Sequence, residues 1–187
     1  MNPRPSRPVV AIVGRPNVGK SALFNRLIRR RLAIVEDTPG VTRDRLYAET
    51  EWAGRRFTLV DTGGLLSGPA DTLQAQVRAQ AKAALADADL VLVVVDVRDG
   101  VVPEDREIAQ LVRETRVPAL LVANKVDSPA QETAAQEFYS LGLGDPLAVS
   151  AHHGRGTGDL LDAVVALLPD VERAPAPASE EPIAVAV

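Results

Sequence analysis

Four short aliphatic runs punctuate the chain at Val9–Val13, 57–60, 90–95 and 119–122, each too short for a helix and rich in β-branched side chains. They lack polar alternation, which predicts strands buried on both faces. Between them lie stretches whose apolar residues recur with helical period, at 20–30, 72–86, 103–114, 129–139 and 158–168. Strand alternating with helix predicts an α/β domain, a three-layer doubly wound sheet with right-handed crossovers. Segments 45–52 and 55–60 depart from that rhythm: both read as strands, and only Ala53 and Gly54 join them, as in an antiparallel hairpin. The sheet is therefore expected to be mixed but mostly parallel. Pro103 and Pro129 suit first helical turns, Ser128 is the expected N-cap before Pro129, and Pro169 ends the last helix.

With 187 residues, 46% of them hydrophobic, the chain has enough for one buried core and too little for two. Residues 1–170 are read as one domain. Residues 171–187 change character: a Pro/Ala-rich acidic stretch reads as a linker, and the terminal Pro-Ile-Ala-Val-Ala-Val echoes Pro8-Val-Val-Ala-Ile-Val, the first strand. The echo predicts the start of a truncated second repeat; a plain hydrophobic tail is the alternative. The sequence has no run of eighteen apolar residues and no apolar h-region after its first residues, so a cytoplasmic protein without a membrane partner, monomeric as a fragment, is expected. It has no cysteine, and its two histidines are adjacent, which argues against a disulfide framework and a transition-metal centre.

The net charge of -4 conceals an asymmetry: residues 1–60 carry 12 basic and 5 acidic side chains, the remainder 9 and 20. Arg26, Arg29, Arg30, Arg31, Arg43, Arg45, Arg55 and Arg56 are candidates for a patch facing nucleic-acid phosphates, or for a set of solvated surface arginines.

The chemistry concentrates in four short motifs. Gly14-Arg15-Pro16-Asn17-Val18-Gly19-Lys20-Ser21 follows a strand and opens a helix, the context required of a G-x-x-x-x-G-K-[ST] phosphate loop. Backbone N–H groups from Asn17 to Ser21, with Ala22 in the first helical turn, can converge on a β-phosphate at the helix N-terminus. Lys20 offers a cation to the β/γ-oxygens and Ser21 a hydroxyl to Mg²⁺. Asp61-Thr62-Gly63-Gly64 ends a strand, placing Asp61 as a second Mg²⁺ group, through water, and the Gly64 N–H as a sensor of the γ-phosphate. Asn124-Lys125-Val126-Asp127 follows a further strand, so its side chains stand at the carboxyl edge of the sheet. Asp127 can accept two charge-assisted hydrogen bonds from guanine N1–H and the 2-amino group, which adenine does not offer. Asn124 would brace the loop, and the Lys125 stem would cover the base. Ser150-Ala151-His152 is the weakest of the four; there the Ala151 N–H is the candidate partner of guanine O6.

The polar loop 34–45 supplies either Thr42, the preferred choice, or Thr38 as a further Mg²⁺ ligand when GTP binds. Lys20, Thr42 and Gly64 are the expected catalytic contacts. Leu65 follows Gly64 where many regulatory GTPases have a glutamine that orients water, so slow intrinsic hydrolysis is expected unless another group, such as Arg15, Arg43 or Arg45, assists.

GRPNVGKS, DTPGVTRDR, DTGG followed by Leu65, and NKVD together resemble the N-terminal GTPase domain of the Der (EngA) family of bacterial tandem GTPases, in the Era/TrmE-like branch; the resemblance covers about residues 8–169. It implies a P-loop GTPase fold, GTP/GDP and Mg²⁺ as ligands, and a role in assembly of the large ribosomal subunit, with rRNA as partner. It further implies that the family's following GTPase and KH-like domains are missing here. Asn17 and Leu65 match positions at which relatives use K⁺ as an added cation, so the resemblance implies K⁺ stimulation with Asn17 as the K⁺ contact. Two other readings stay open: a GTP-binding scaffold with negligible hydrolysis, and an ATP-using small-molecule kinase that shares only the phosphate loop.

Overall fold

The computed structural model describes residues 7–28, 46–62 and 73–169. Six strands form one sheet: β1 (Val9–Val13), β2 (Leu46–Trp52), β3 (Arg55–Asp61), β4 (Leu90–Asp96), β5 (Ala119–Asn124) and β6 (Leu147–Ala148), in the order β2-β3-β1-β4-β5-β6. Only β2 and β3 pair antiparallel, Trp52 opposite Arg55 at the turn; the other pairings are parallel. The sheet is thus mixed and mostly parallel, as the aliphatic runs and the Ala53-Gly54 connection predict. β1 and β4 are buried along their entire length, which is why their sequences show no alternation.

Helices α1 (Lys20–Ile28), α2 (Leu73–Leu85), α3 (Pro103–Thr115) and α5 (Thr157–Leu167) cover the sheet, and a short α4 (Pro129–Ala134) buries none of its residues. On one face, Leu23, Phe24 and Leu27 of α1 and Leu160, Leu161 and Val164 of α5 pack on Val10, Ile12, Leu92, Val94 and Phe57. On the other, Ala81 and Leu85 of α2 and Ile108 and Val112 of α3 pack on Ala11, Val13, Val93 and Leu121. Alternate residues of β1 and β4 therefore feed two separate cores, the three-layer arrangement expected of strands buried on both sides.

The sequence predicts one helix over 129–139; the chain instead leaves α4 after Ala134 and continues as a 3₁₀ helix over Ala135–Leu141. The side chains explain the change of winding. Ala135, Phe138 and Leu141 are the buried residues of this segment, and at three residues per turn a spacing of three stacks them directly in line. Pro129 occupies the first turn of α4 after an extended Ser128, and Pro103 does the same for α3. Among the described residues no helix is long and apolar enough to cross a membrane. Segments 1–6, 29–45, 63–72 and 170–187, the last including the linker and repeat echo, lie outside the described residues.

Phe57 on β3 is fully buried against α1 and α5. Phe57→Ala is expected to cost about 3–5 kcal/mol, from lost transfer energy and an unfilled cavity. Urea denaturation should register this as a lower midpoint at unchanged slope.

Candidate functional site

All the loops that carry the sequence motifs leave the carboxyl ends of parallel strands, so they gather along one edge of the sheet. The loop between β1 and α1 sits close to its neighbours. A Cβ on Gly14 would lie 2.5 Å from the Val94 carbonyl oxygen, and one on Gly19, whose φ is +95°, would lie 2.4 Å from Asn124 Nδ2. Glycine at these two points lets the loop lie against β4 and β5. Asn17 takes a left-handed conformation at φ 67°, with its side chain exposed at the outer bend. Pro16 is partly buried on the loop, and Ala22 is exposed in the first turn of α1.

Lys20 is buried, and its ammonium donates to the carbonyl oxygens of Gly14 and Arg15, both at 2.8 Å. Burial pushes its pKa down to about 8, against the pull of the Asp61 carboxylate and with the Arg15 charge adding to the depression. Ser21 Oγ donates to Asp61 Oδ2 at 2.6 Å, joining the start of α1 to the end of β3. A hydroxyl and a carboxylate side by side are the hard oxygen donors that suit Mg²⁺. Thr62 Oγ1 donates to the Ile12 carbonyl at 2.8 Å and pins the chain leaving β3 to β1.

At the other end, Asn124 is almost fully buried and bridges two loops. Its Nδ2 donates to the Val18 carbonyl at 2.9 Å, and its Oδ1 accepts the Ala151 N–H at 3.0 Å. The N–H proposed for guanine O6 is therefore directed inward here, and contact with a base would require it to be shared. Lys125, at φ 67°, extends across the phosphate loop, donating to the Asn17 carbonyl at 2.8 Å and pairing with Asp96 at 2.5 Å. Asp127 accepts the Ser150 hydroxyl on Oδ1 at 2.7 Å and Arg98 Nη2 on Oδ2 at 2.6 Å. These donors, Ser150 first, hold its pKa below the usual carboxylate value. His152 is exposed, its carbonyl bound by Arg26 and its ring edge-on to His153.

The structure thus gathers Lys20, Ser21 and Asp61 at one end of the sheet edge, and Asn124, Lys125, Asp127, Ser150 and Ala151 at the other. Thr38, Thr42, Gly63, Gly64 and Leu65 lie outside the described residues. Three members of the candidate basic patch are engaged internally. Arg26 binds the Ala151 and His152 carbonyls, Arg55 the Val165, Leu168 and Pro169 carbonyls, and Arg56 the Glu51 carboxylate. The other five lie outside the described residues. Arg15 turns away from the phosphate loop to pair with Asp99 at 2.6 Å and approach Asp105, buried at the start of α3. Arg98, which no motif contains, was the site residue missed from the sequence. Its one visible signal is position, two residues beyond Asp96 at the end of β4 and hence on the same sheet edge.

A family profile described as 50S ribosome-binding GTPase matches residues 9–125. Among curated proteins, the chain is similar to one named GTPase Der from Moorella thermoacetica, 58% identical over 175 residues, covering 94% of this chain and 39% of that protein. It is also similar to a GTPase Der from Symbiobacterium thermophilum, 58% identical over 182 residues, covering 97% and 38%. The chain thus spans about two fifths of the length of these curated relatives. Among solved structures, a variant of Aquifex aeolicus Era bound to GDP and AlF4⁻ matches with a TM-score of 0.68 at 29% identity, over 87% of this chain and 57% of the other. Era in complex with MgGDPNP and nucleotides 1506–1542 of 16S ribosomal RNA matches with 0.70 at 28%, over 89% and 58%.

The contact between the phosphate loop and α3 has a pH signature. Arg15 Nε and Asp105 Oδ1 are buried 3.5 Å apart, neither in a hydrogen bond, and Asp105 Oδ2 accepts the Val102 N–H at 3.3 Å. Burial raises the Asp105 pKa from 3.8 to about 6, more than the Val102 N–H and the Arg15 charge lower it. The native protein therefore holds this proton more tightly than the unfolded chain. The resulting stabilisation is complete below the unfolded pKa and is lost as pH rises through about 6. Chemical denaturation of the wild type and Asp105→Asn between pH 4 and 7 should show the substitution removing that decline.

Proposed function

Because the chain belongs to the family described as 50S ribosome-binding GTPase, we propose that it binds GTP and GDP with Mg²⁺ and hydrolyses GTP to GDP and phosphate as a molecular switch. The observation that carries the reading is the Asn124 bridge, which ties the phosphate loop to the Ser150–Ala151 turn beside the Asp127 carboxylate. Phosphate-binding and base-reading chemistry are thereby held in one frame along the sheet edge.

In this mechanism Lys20 exchanges the Gly14 and Arg15 carbonyls for β- and γ-phosphate oxygens, whose negative charge favours its ammonium form. Backbone N–H groups from Asn17 to Ser21 cradle the β-phosphate. Asp127 accepts N1–H and the 2-amino group of guanine, and adenine would leave that carboxylate unpaired. Ser21, Asp61 through water, and Thr42 or Thr38 would hold Mg²⁺, which when bound would neutralise charge on the β/γ-oxygens. The Gly64 N–H senses the γ-phosphate, and GTP would order the Thr42 and Gly64 loops that hydrolysis releases. Water attacks the γ-phosphorus in line, the bond to the bridging oxygen breaks, and GDP leaves as the product. With Leu65 in place of a water-orienting glutamine, intrinsic turnover is slow, and Asn17 would hold a K⁺ ion that, when bound, would add positive charge beside the phosphates. Arg15, paired with Asp99, is not assigned that task.

The partner proposed is the large ribosomal subunit and its RNA, during assembly in the cytoplasm. The family description supports the large subunit, and the Era neighbour, solved with 16S RNA of the small subunit, supports contact with ribosomal RNA in general. Leu65 also keeps a second reading alive, a GTP-binding scaffold with negligible hydrolysis.

Single-turnover hydrolysis with Mg²⁺, in KCl and in NaCl at matched ionic strength, decides among these. Faster hydrolysis in KCl is expected; equal measurable rates would remove K⁺, and bound but unhydrolysed GTP in both salts would favour the scaffold. Asp127→Asn should weaken GDP binding by about 10²–10⁴-fold, the loss of two charge-assisted hydrogen bonds at about 1.5–3 kcal/mol each. The variant should instead prefer XDP, whose 2-oxo group suits an amide donor, and competition calorimetry would report the exchange.

A further inference from the structure

The Asp127 carboxylate already has a guanidinium on the oxygen that faces outward. Arg98 Nη2 donates to Oδ2 at 2.6 Å, while the Ser150 hydroxyl holds Oδ1 at 2.7 Å. The donor edge of guanine, N1–H and the 2-amino group on a shared carbon, is itself a guanidine fragment. Arg98 therefore presents to Asp127 the same kind of N–H donor that the base would present.

The two ends of Arg98 are held differently. Its backbone N–H donates to Asp96 Oδ1 at 3.0 Å, and Asp96 Oδ2 is paired with Lys125. The root of the side chain is thus fixed to the element that carries the base-reading motif. The side chain itself is 55% exposed and long enough to rotate into solvent without disturbing any core residue. The neighbouring Asp99 holds Arg15 of the phosphate loop, so consecutive residues of the turn after β4 engage the two ends of the site.

Building on the guanine-reading assignment, we propose that Arg98 is an internal surrogate for the base, a positioning residue whose guanidinium holds the Asp127 acceptor and that guanine must displace. The pair then sets guanine affinity by competition. A ligand without the matching donors cannot replace the arginine.

The direction of the mutational effect separates this role from ordinary loop support, because loss of a merely structural contact would weaken binding. In the full 187-residue chain, Arg98→Ala is expected to bind GDP about 2–5-fold more tightly, the range of a partly exposed ion pair, and to associate faster with mant-GDP in stopped flow. Arg98→Lys, which keeps the charge without the planar fork, should fall between. GDP affinity unchanged or weakened in Arg98→Ala would overturn the proposal. In the Asp127→Asn background with XDP as ligand, the anionic partner is gone and Arg98→Ala should produce no gain; an equal gain there would also overturn it. The background variant reports separately on the underlying assignment. If Asp127→Asn fails to exchange GDP preference for XDP, the base-reading role falls and the surrogate falls with it. If the exchange succeeds while Arg98→Ala brings no gain, only the surrogate is lost.

Discussion

The site depends on one buried amide. Asn124 ends β5, where a polar side chain without partners would be costly, and it meets that cost by joining two loops from opposite sides. Its Nδ2 captures the Val18 carbonyl, and its Oδ1 captures the Ala151 N–H. The absence of a Cβ on Gly19 lets the phosphate loop come close enough for the first of these contacts. Lys125 reinforces the bridge from outside through the Asn17 carbonyl. Remove the amide and the frame loses its buried side-chain link, leaving the phosphate loop, the Asp127 segment and the Ser150 turn joined by the more exposed contacts of Lys125, Ser150 and Arg26.

Charge in this frame is arranged in short chains, not isolated pairs. Arg15 links Asp99 and Asp105, Lys125 links Asp96 to the phosphate loop, and Arg98 links the turn after β4 to Asp127. Lys20 stands apart: a buried cation resting on backbone carbonyls, with its pKa depressed by the desolvation that any incoming anion would offset. The loop therefore holds its lysine at a desolvation cost that its surroundings do not fully offset.

Much of this organisation is legible in the sequence because strong local rules govern it. Fully apolar runs such as Val9–Val13 and 90–95 can only be doubly buried strands, and the two-residue Ala53-Gly54 link forces the hairpin. The motif residues announce themselves by spacing. What stayed hidden depends on packing between distant segments. The 3₁₀ winding at Ala135–Leu141 follows from three residues meeting one core face, and a helical reading of 129–139 satisfies the same local pattern. Arg26 and Arg55 read as surface charge until α5 and the Ser150 turn bring carbonyls to them. Arg98 belongs to no motif, and its relation to Asp127 exists only because β4 and β5 are parallel neighbours.

Arg55 begins β3, six residues before Asp61, and closes on the last carbonyls of α5 and on that of Pro169. At about 3.3 Å per residue, that anchor lies about 20 Å along the strand from the Ser21–Asp61 contact. Pro169 is thus tethered at the far end of the sheet from the Lys20–Ser21 loop. A pull on it would act on α5 through the backbone and on the β2–β3 hairpin through Arg55, so helix and hairpin would share the load at the end of the sheet remote from Asp61.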